Sequence, residues 1–450
     1  MKNKELQFFL TGITRSKLSF DGGDISSDGG LLLLNEFMHK IGLPDIIQRN
    51  FKTKDSAFVR FHTDTDNLFQ LILQVLAGYF TDDSSDDLRR DPVFTSVLGK
   101  DALASQPTLS RFMNRMDSDT LDQFNKILRE LRKIAYSIEK PNGIVLDLDS
   151  TLLDTYGNQE EAGFNFHYQA EGYHPLVLYD CVTGYLLKAE LRNGTQYCSK
   201  DAAEFMRPIL AELKEDFPDV PLIFRADSGF ASPDLYEVLE EFDCYYVIRL
   251  KENPVLKKRV GDTAEKLQRA TKYNMIDQAV EYDDFTYAAG SWSKERRVVC
   301  EVCKPENSFI MNYMFVVTNF QELAHYQILD LYRGRGQMEN LIKESKNGFD
   351  FAAVSSHKMV TNANRLQLRA LTYNIFNMFK RLVLPANLCA AQADTIRVRL
   401  IKVAVRITHS GRYTNFKLCS SYVYKKEFVN ILSNIEGLFS PESTAKHQAA

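Results

Sequence analysis

A sharp change of residue pattern at Pro141-Asn-Gly143 determines the architecture that this chain can adopt. Before it, apolar residues recur at helical spacing, and after it, short apolar runs alternate with turns and helical segments. The predicted order is three strands, then a helix, a strand, a helix and a strand, at 144–148, 176–179, 185–191, 201–215, 220–226, 232–241 and 244–250. Strands joined by turns pair antiparallel and strands joined by helices run parallel, so this order predicts a mixed sheet with helices on its faces.

The 450 residues are enough for two to three domains, and the pattern divides them into four regions. We expect a helical region at 1–140, the mixed-sheet core at 141–253 and 321–380, a β-rich insertion at 254–320, and a basic helical region at 381–450. Within the first region, the segment 105–112 carries Pro107 in a first helical turn. That short helix is either the second helix of a DNA-binding helix-turn-helix or an ordinary packing corner.

Charge is distributed unevenly, although the whole chain carries a formal charge of only -4. Between Phe351 and Lys426 there are 13 basic residues and one acidic residue, so this segment carries +12 and the remainder -16. Such a segment is typical of a surface for a polyanion, and Arg397, Arg399 and Lys402 are its expected contacts. The alternative is a solvated helix face that pairs with acidic residues of the same chain.

Cysteine usage and hydropathy predict a cytoplasmic protein that does not enter a membrane. The seven cysteines are scattered and do not resemble a disulfide framework. The apolar run near the N-terminus is too short for a secretory signal, and the longest apolar stretch, residues 69–80, is too short to span a bilayer.

Two acidic segments occupy positions where functional carboxylates are common. Asp147 and Asp149 share one face of the first predicted strand, where a divalent cation would relieve their mutual repulsion. They would be solvent-facing acids if the strand lay at an edge. Asp227 ends a later strand before a Ser-Gly turn, and sites gather at the carboxyl ends of strands in α/β sheets. An Asp in this context is also ordinary turn chemistry.

A third segment carries Tyr332, Arg335, Glu339 and Lys346, spaced so that one helix would present all four on one face. A phenol, a guanidinium, a carboxylate and an ammonium on one face are unusual for a solvated helix, although Arg335 and Glu339 also fit a structural i,i+4 ion pair. A glycine flanks Arg335 on each side and predicts a break before the helix that bears Glu339.

The spacing Tyr-(2)-Arg-(3)-Glu-(6)-Lys resembles the signature of a large branch of bacterial insertion-sequence transposases, which belong to the DDE, ribonuclease-H-like superfamily. The chain also resembles this family in Asp149-Ser-Thr on the first strand and in Asp-Ser-Gly-Phe around Asp227. The resemblance covers roughly residues 140–380. It implies a ribonuclease-H-like α/β fold and cut-and-paste transposition of DNA.

The resemblance also implies roles for particular residues. Asp149, Asp227 and Glu339 match the triad that holds two Mg²⁺ ions, for which Mn²⁺ can substitute. Tyr332, Arg335 and Lys346 match residues that contact DNA phosphates near the cut. Trp292 matches insertion aromatics that stack on a flipped base, with core packing as the alternative.

The partners implied by the resemblance are the terminal inverted repeats of the element, target DNA and a second copy of the chain. The first 140 residues are then the expected DNA-binding region, and the expected location is the bacterial cytoplasm, at the nucleoid when DNA is bound.

Two other functions fit part of the sequence. A haloacid-dehalogenase-type phosphatase would use Asp147 as nucleophile and Asp149 as general acid, because Asp-x-Asp-x-Thr-Leu occurs here. That fold needs a helix soon after the motif, whereas residues 156–191 predict strands and turns. The other alternative is a transposase-derived DNA-binding protein that has lost catalysis, although all three matching acids are present.

Overall fold

The computed structural model describes residues 8–9, 17–57, 59–273, 279–305, 308 and 310–439. These residues form two compact units, and each is built from separate stretches of chain. The first unit lies within Met1–Ile127, Gly348–Asp350 and Leu371–Ala450, and the second comprises Leu128–Asn347 and Phe351–Ala370. Each unit is described below by itself.

Helices dominate the N-terminal part of the first unit, as the spacing over residues 28–140 predicts. Three strands of two residues precede them: β1 (Phe8–Phe9), its antiparallel partner β2 (Lys17–Leu18), and β3 (Ile25–Ser26). The helices are α1 (Leu31–Lys40), α2 (Leu43–Asn50), α3 (Asp64–Ala77), α4 (Ser84–Asp87), α5 (Pro92–Leu98), α6 (Gln106–Arg115) and α7 (Ser118–Ile138), the last of which continues into the second unit.

Helix α3 forms the centre of this part of the unit. Thr63 begins it with a capping box: its hydroxyl accepts from the Asp66 N–H at 3.2 Å, and the Asp66 carboxylate accepts from the Thr63 N–H at 2.9 Å. Every residue from Asn67 to Ala77 is buried. Gly78, at φ 91°, ends the helix because a left-handed conformation is favourable for glycine. The buried helix predicted near residues 69–80 is therefore present.

The eight-stranded sheet is the framework of the second unit. Its strands and those of a smaller sheet are, in chain order, β4 (Ile144–Ser150), β5 (Leu153–Asp154), β6 (Gly163–Asn165), β7 (Ala170–Tyr173), β8 (Leu176–Asp180), β9 (Leu186–Glu190), β10 (Leu222–Ala226), β11 (Tyr245–Leu250), β12 (Ala279–Tyr287), β13 (Arg296–Lys304) and β14 (Asn312–Thr318). The large sheet has the order β12-β13-β14-β11-β10-β4-β8-β9, and the small one the order β5-β7-β6.

The strand directions confirm the predicted ribonuclease-H-like mixed sheet. Strands β4, β8 and β9 are antiparallel neighbours, and β10 and β11 run parallel to β4. Helices occur in both connections that produce parallel neighbours: α8 (Ala202–Asp216) precedes β10, and α9 (Pro233–Glu241) precedes β11. Five strands with this order and these directions correspond to the pattern that the sequence predicts for the core.

The segment expected to be a β-rich insertion differs from that expectation in two respects. Its first part is helical, with α10 (Pro254–Arg259) and α11 (Gly261–Tyr273). Its strands do not form a separate sheet, because β14 pairs antiparallel with β11 and extends the core sheet. Pro254 at the first helical position and the Asn253 side chain, which accepts from the Leu256 N–H at 3.0 Å, start α10.

As far as residue 439, the C-terminal part of the chain is helical except for one hairpin. Its elements are α12 (His325–Arg333), α13 (Gly336–Phe349), α14 (Met359–Val383), α15 (Ala386–Cys389), α16 (Ala393–Ile396), a π-helical turn (Arg397–Ile401), β15 (Val405–Ser410), β16 (Tyr413–Leu418) and α17 (Lys425–Glu436). The hairpin of β15 and β16 departs from the purely helical region expected at 381–450. Within the described ranges, no helix is long and apolar enough to cross a membrane.

Candidate active site

Two carboxylates stand side by side where parallel strands β4 and β10 end. Asp147 on β4 lies opposite Arg225 on β10. Asp149 and Asp227 each follow by two residues, so they continue this register at the carboxyl ends of both strands. Because side chains alternate between the faces of a sheet, both carboxylates project to the face on which Asp147 and Arg225 meet.

A cavity of about 850 Å³ opens beside this pair of carboxylates. It brings together several predicted residues that are far apart in the sequence. Its walls include Asp149, Asp227, Arg335, Glu339 and Lys346, together with Tyr168, His174, Lys251 and Lys343. Acidic and basic side chains therefore share one space, which suits a substrate with anionic groups and a reaction that needs carboxylates.

The carboxyl of Asp149 is buried beside Asp227 and Arg335. Burial raises the pKa of Asp149 to about 6, and the nearby Asp227 adds to the rise, whereas Arg335 opposes it. The Arg335 Nη2 donates to Asp149 Oδ2 at 2.7 Å, and the Ser150 N–H donates to Oδ1 at 2.8 Å. One guanidinium thus partly balances two adjacent carboxylates, and the remaining negative charge favours a further cation.

Asp147 is excluded from this site by its partners. It is fully buried, and its two oxygens accept from Arg225 Nε at 2.7 Å and Arg225 Nη2 at 2.8 Å. The Cys181 thiol donates to the same carboxylate at 2.6 Å. A carboxylate held in this way is not available as a metal ligand or as the nucleophile of a phosphatase. The geometry therefore favours Asp149 over Asp147.

The helix expected to carry Tyr332, Arg335, Glu339 and Lys346 is two helices. Tyr332 belongs to α12, Arg335 lies in the break, and the other two belong to α13. The expectation of one continuous face is therefore wrong, whereas the predicted break before the Glu-bearing helix is present. Tyr332 lies outside the lining of the cavity, and its partly buried ring packs against the hydrophobic cluster that includes Val247.

The break is held from the sheet by Arg225. Its Nη1 donates to the carbonyl of Leu331 at 2.8 Å, near the end of α12. A Cβ placed on Gly334 would lie 2.4 Å from the same nitrogen. Only glycine leaves room for the guanidinium here, so the buried pair of Asp147 and Arg225 sets the position of the segment from which Arg335 reaches Asp149.

The side chains of α13 are available to a ligand to different degrees. Glu339 is exposed on the cavity wall, whereas Lys346 is partly buried and its Nζ donates to the carbonyl of Leu152 at 2.7 Å. Burial lowers the pKa of Lys346 from its ordinary value.

The three candidate metal ligands share a cavity but do not form a closed metal cluster. Among the residues that the structure describes, no three His, Cys, Asp or Glu side chains converge closely enough to hold an ion. The donor type nevertheless fits a hard divalent cation, because Asp149, Asp227 and Glu339 offer only carboxylate oxygens to the cavity.

Trp292 does not lie where a base-stacking residue of this site would be. Arg297 on β13 pairs with Thr318 on β14, and Thr318 pairs with Val247 on β11, so β13 and β11 run in the same direction. Trp292 precedes Arg297 by five residues and therefore lies on the side where β11 begins. Asp149 and Asp227 lie where the parallel strands end, so Trp292 is at the opposite edge of the sheet. Trp292 is half-buried, and its ring packs edge-on to the rings of Tyr236 and Tyr287, with centroid distances of 5.3 Å and 5.4 Å.

Two of the three basic residues expected to bind DNA in the C-terminal region are occupied within the first unit. Arg397 is 4% exposed, and its guanidinium donates to the carbonyls of Val75 at 3.1 Å and Leu76 at 2.9 Å. Lys402 contacts the fully buried Asp28 at 2.5 Å. Arg399 is partly buried, with its guanidinium 5.7 Å from the ring centre of Tyr424. The assignment of Arg397 to DNA is wrong, because its donors are used inside the unit.

Sequence reasoning missed Arg225 and Tyr168. Arg225 stands two residues before Asp227, as Asp147 stands two before Asp149, and this parallel spacing was the available signal. Tyr168 lines the cavity and donates from its hydroxyl to the Ser150 carbonyl at 3.2 Å. Burial and the nearby Asp149 raise the pKa of Tyr168 to about 12, so it remains a donor. Its loop carries no sequence pattern that indicates this position.

A family model described as "Transposase DDE domain group 1" matches residues 12–440. No curated protein sequence matches the chain. Among solved structures, a piggyBac transposase synaptic complex with hairpin DNA is similar over 94% of this chain and 82% of that chain, with 13% identity and a TM-score of 0.44. The Mos1 mariner paired end complex with Mn is similar over 47% of this chain and 65% of that chain, with 11% identity and a TM-score of 0.18. The family model spans nearly the whole chain.

Proposed function

The chain belongs to the family described as Transposase DDE domain group 1, and on that premise we propose that it cuts and rejoins DNA at the terminal inverted repeats of an insertion sequence. Membership makes it a DNA transposase, which is a polynucleotidyl transferase and endonuclease, and implies the use of a divalent metal ion.

One observation carries the residue assignment: the carboxylates of Asp149 and Asp227 continue one strand register into a cavity that Glu339 also lines. Three acids from three distant segments can then hold two Mg²⁺ ions, and Mn²⁺ can substitute because it also accepts oxygen ligands. When bound, such ions activate the attacking hydroxyl and stabilise the leaving 3′-oxygen.

The cations of the cavity supply the contacts to the scissile phosphate in this proposal. Arg335 is in the cavity and already forms a charged hydrogen bond, so its guanidinium can pass from Asp149 to a phosphate oxygen without a large movement of the chain. Lys346 and Lys343 stand on the helix of Glu339 and extend the positive wall. These groups orient the phosphate and offset the negative charge that develops during transfer.

The proposed reaction has two chemical steps, strand cleavage and strand transfer. Water first attacks the phosphodiester, and cleavage frees a 3′-hydroxyl at the end of the element. That hydroxyl then loses its proton to solvent and attacks a phosphodiester of the opposite strand or of target DNA. A new P–O bond forms, the P–O3′ bond of the attacked strand breaks, and its 3′-oxygen takes up a proton from solvent. Arg335 and Lys346 hold the phosphate in both steps, because both steps use the same site.

We also propose that the chain assembles on DNA as a homodimer. Two ends of the element must be cut and transferred together, and a homodimer provides one site for each end. The setting is the bacterial cytoplasm, where the protein meets the nucleoid. Light scattering of the protein with and without a terminal-repeat duplex measures this stoichiometry, and one chain on each pair of joined ends contradicts it.

The test of the function is cleavage of a duplex that bears the element's terminal repeat, with Mg²⁺, by wild type and two variants. Glu339→Gln should lose cleavage and retain binding of the duplex, because Glu339 is exposed and its neutral amide leaves the helix unchanged. Glu344→Gln is the matched control on the same helix, outside the cavity lining, and should cleave like wild type.

Each other outcome removes a stated part of the proposal. Cleavage retained by Glu339→Gln removes that residue from the site. DNA binding by wild type without cleavage favours the catalytically silent protein. Hydrolysis of small phosphoesters without DNA cleavage favours the phosphatase, although the burial of Asp147 argues against that reading of the site.

A further inference from the structure

The C-terminal hairpin presents a cationic face, and none of its cations forms an ion pair within 4 Å with a carboxylate of the residues that the structure describes. We call β15 and β16, Val405–Leu418, the ribbon. In its register Arg406 stands opposite Lys417, Thr408 opposite Asn415, and Ser410 opposite Tyr413, as the pairs of one face. We propose that this face binds duplex DNA in the major groove and is a surface through which the transposase recognises the ends of its element. This inference rests on the proposed function.

The two faces of the ribbon differ in burial. Val405 and Ile407 are 1% and 3% exposed, and the residues opposite them, Leu418 and Phe416, are partly buried. This apolar face is the one that anchors the ribbon in its unit. The other face is polar and open, and Tyr413 at its distal end is 77% exposed. A ribbon fixed on one side and open on the other is suited to present its polar face to a partner.

The charges of the open face identify the partner as a polyanion. Arg406 and Lys417 are both exposed and stand directly across from each other, a like-charge pair that destabilises a free hairpin. Arg412 adds a third exposed cation at the turn. Over the described part of the chain, none of the three forms an ion pair with a carboxylate, and the sequence holds no acidic residue between Asp394 and Glu427. A bound phosphate backbone would relieve this repulsion.

The shape of the ribbon favours the major groove over a flat surface. Strand β3 covers β15 only at Val405 and Arg406, so the part from Thr408 to Asn415 is two-stranded. Each strand has six residues and is roughly 20 Å long at about 3.3 Å per residue, and the two-stranded part is about 10 Å of that length. A two-stranded ribbon fits a major groove about 12 Å wide. Its cations then reach phosphates, and the hydroxyl and amide groups between them face base edges.

The element so identified differs from the one that the charge count suggested. The count pointed to Arg397 and Lys402, but both are engaged inside the first unit. Exposed cations of the same segment stand on the ribbon and in the first turn of α17, where Lys425 and Lys426 lie beside Glu427.

The experiment measures binding of a fluorescent terminal-repeat duplex by the full chain over a range of salt concentrations, without divalent ions. The triple variant Arg406→Gln, Arg412→Gln and Lys417→Gln should lower the slope of log affinity against log salt by about 2–3, since each phosphate contact contributes about 0.9. Affinity at 0.15 M salt should fall about 100-fold on the same basis. A control with equal charge loss, Lys257→Gln, Lys266→Gln and Arg269→Gln on α10 and α11, should change neither quantity.

A second variant tests base recognition separately from charge. Asn415→Ala keeps every cation, so it should bind a scrambled duplex like wild type and lose about tenfold of its preference for the terminal repeat. An unchanged slope of log affinity against log salt in the triple variant overturns the inference. If the triple variant instead loses self-association and still binds DNA like wild type, the ribbon is a contact between copies of the chain and the inference is also overturned. Cleavage by wild type in a parallel reaction keeps these outcomes distinct from failure of the proposed function, which would show as no cleavage by any form.

Discussion

Asp147 and Asp149 lie two residues apart on one strand, yet the structure assigns them opposite contributions to stability. The substitution Asp147→Asn removes one charge from a buried ion pair and leaves the guanidinium of Arg225, 5% exposed, without its counter-charge. Removing one partner of a buried pair costs about 3–5 kcal/mol. The amide oxygen still accepts one of the two hydrogen bonds, so we expect a loss of about 3 kcal/mol.

Asp149→Asn is the matched control, with the same chemical change on the same strand. Burial raises the pKa of Asp149 to about 6, above the value of about 3.9 for an unfolded Asp. A carboxyl with a raised folded pKa binds its proton more tightly in the folded state, so stability falls as pH rises from about 4 to about 6. The full penalty is present at pH 7.5 without metal. The neutral amide removes it but weakens the contact with Arg335, so we expect a change between zero and about 2 kcal/mol of stabilisation.

The fluorescence of Trp292, the only tryptophan of the chain, can report the unfolding of the second unit, in which both aspartates lie. Trp292 belongs to the second unit, as both aspartates do, so its fluorescence in a urea titration follows the unit that the substitutions affect. Titrations at pH 7.5 in a chelator should give a lower midpoint for Asp147→Asn and an unchanged or higher midpoint for Asp149→Asn. Cleavage should be lost in Asp149→Asn while its fold is intact. Equal destabilisation by the two substitutions would refute the reasoning, as would a wild-type midpoint for Asp147→Asn.

Further predictions concern the helix break and the first unit. Gly334→Ala should lower stability by about 1–3 kcal/mol and reduce cleavage, because its Cβ would lie 2.4 Å from Arg225 Nη1. Gly336→Ala is its control in the same urea and cleavage assays, and should be neutral or slightly stabilising because no atom lies within 4 Å of its Cβ. Lys402→Met should destabilise the first unit by about 1–3 kcal/mol in calorimetry, because Asp28 is fully buried beside it, and should leave the salt slope of DNA binding unchanged.

The core strands were predictable because their pattern is local. The apolar run at 144–148 follows a Pro-Asn-Gly turn, and the strand forms there, although it continues to Ser150. The extension comes from pairing with β8, where Ser150 is opposite Leu176. Partner strands lengthen an element beyond its own apolar residues, and the sequence of a single strand does not contain that information.

The arrangement of the candidate site was only partly predictable for the same reason. Spacing alone allowed Tyr332 and Glu339 to share a helix face, but the helix breaks where Arg225 reaches across from the sheet to the Leu331 carbonyl. That contact joins residues more than 100 positions apart. It depends on the register of β4 and β10, which follows from packing of the whole sheet rather than from either segment.

For Trp292 and for the basic C-terminal segment, residue type alone did not predict where the side chains lie in the structure. A lone tryptophan in a β-rich segment suggested a base-stacking role, yet the antiparallel turn between β12 and β13 carries it to the edge where the parallel strands begin. The surplus of cations was real, but a count cannot distinguish Arg397, which donates to buried carbonyls, from Arg406, which stands exposed opposite Lys417. Burial decides the difference, because a guanidinium whose donors already bind backbone oxygens gains little from a phosphate, whereas an exposed like-charge pair gains a counter-ion. The surface for DNA is therefore to be sought where cations remain unpaired, and in the first unit the ribbon meets that condition.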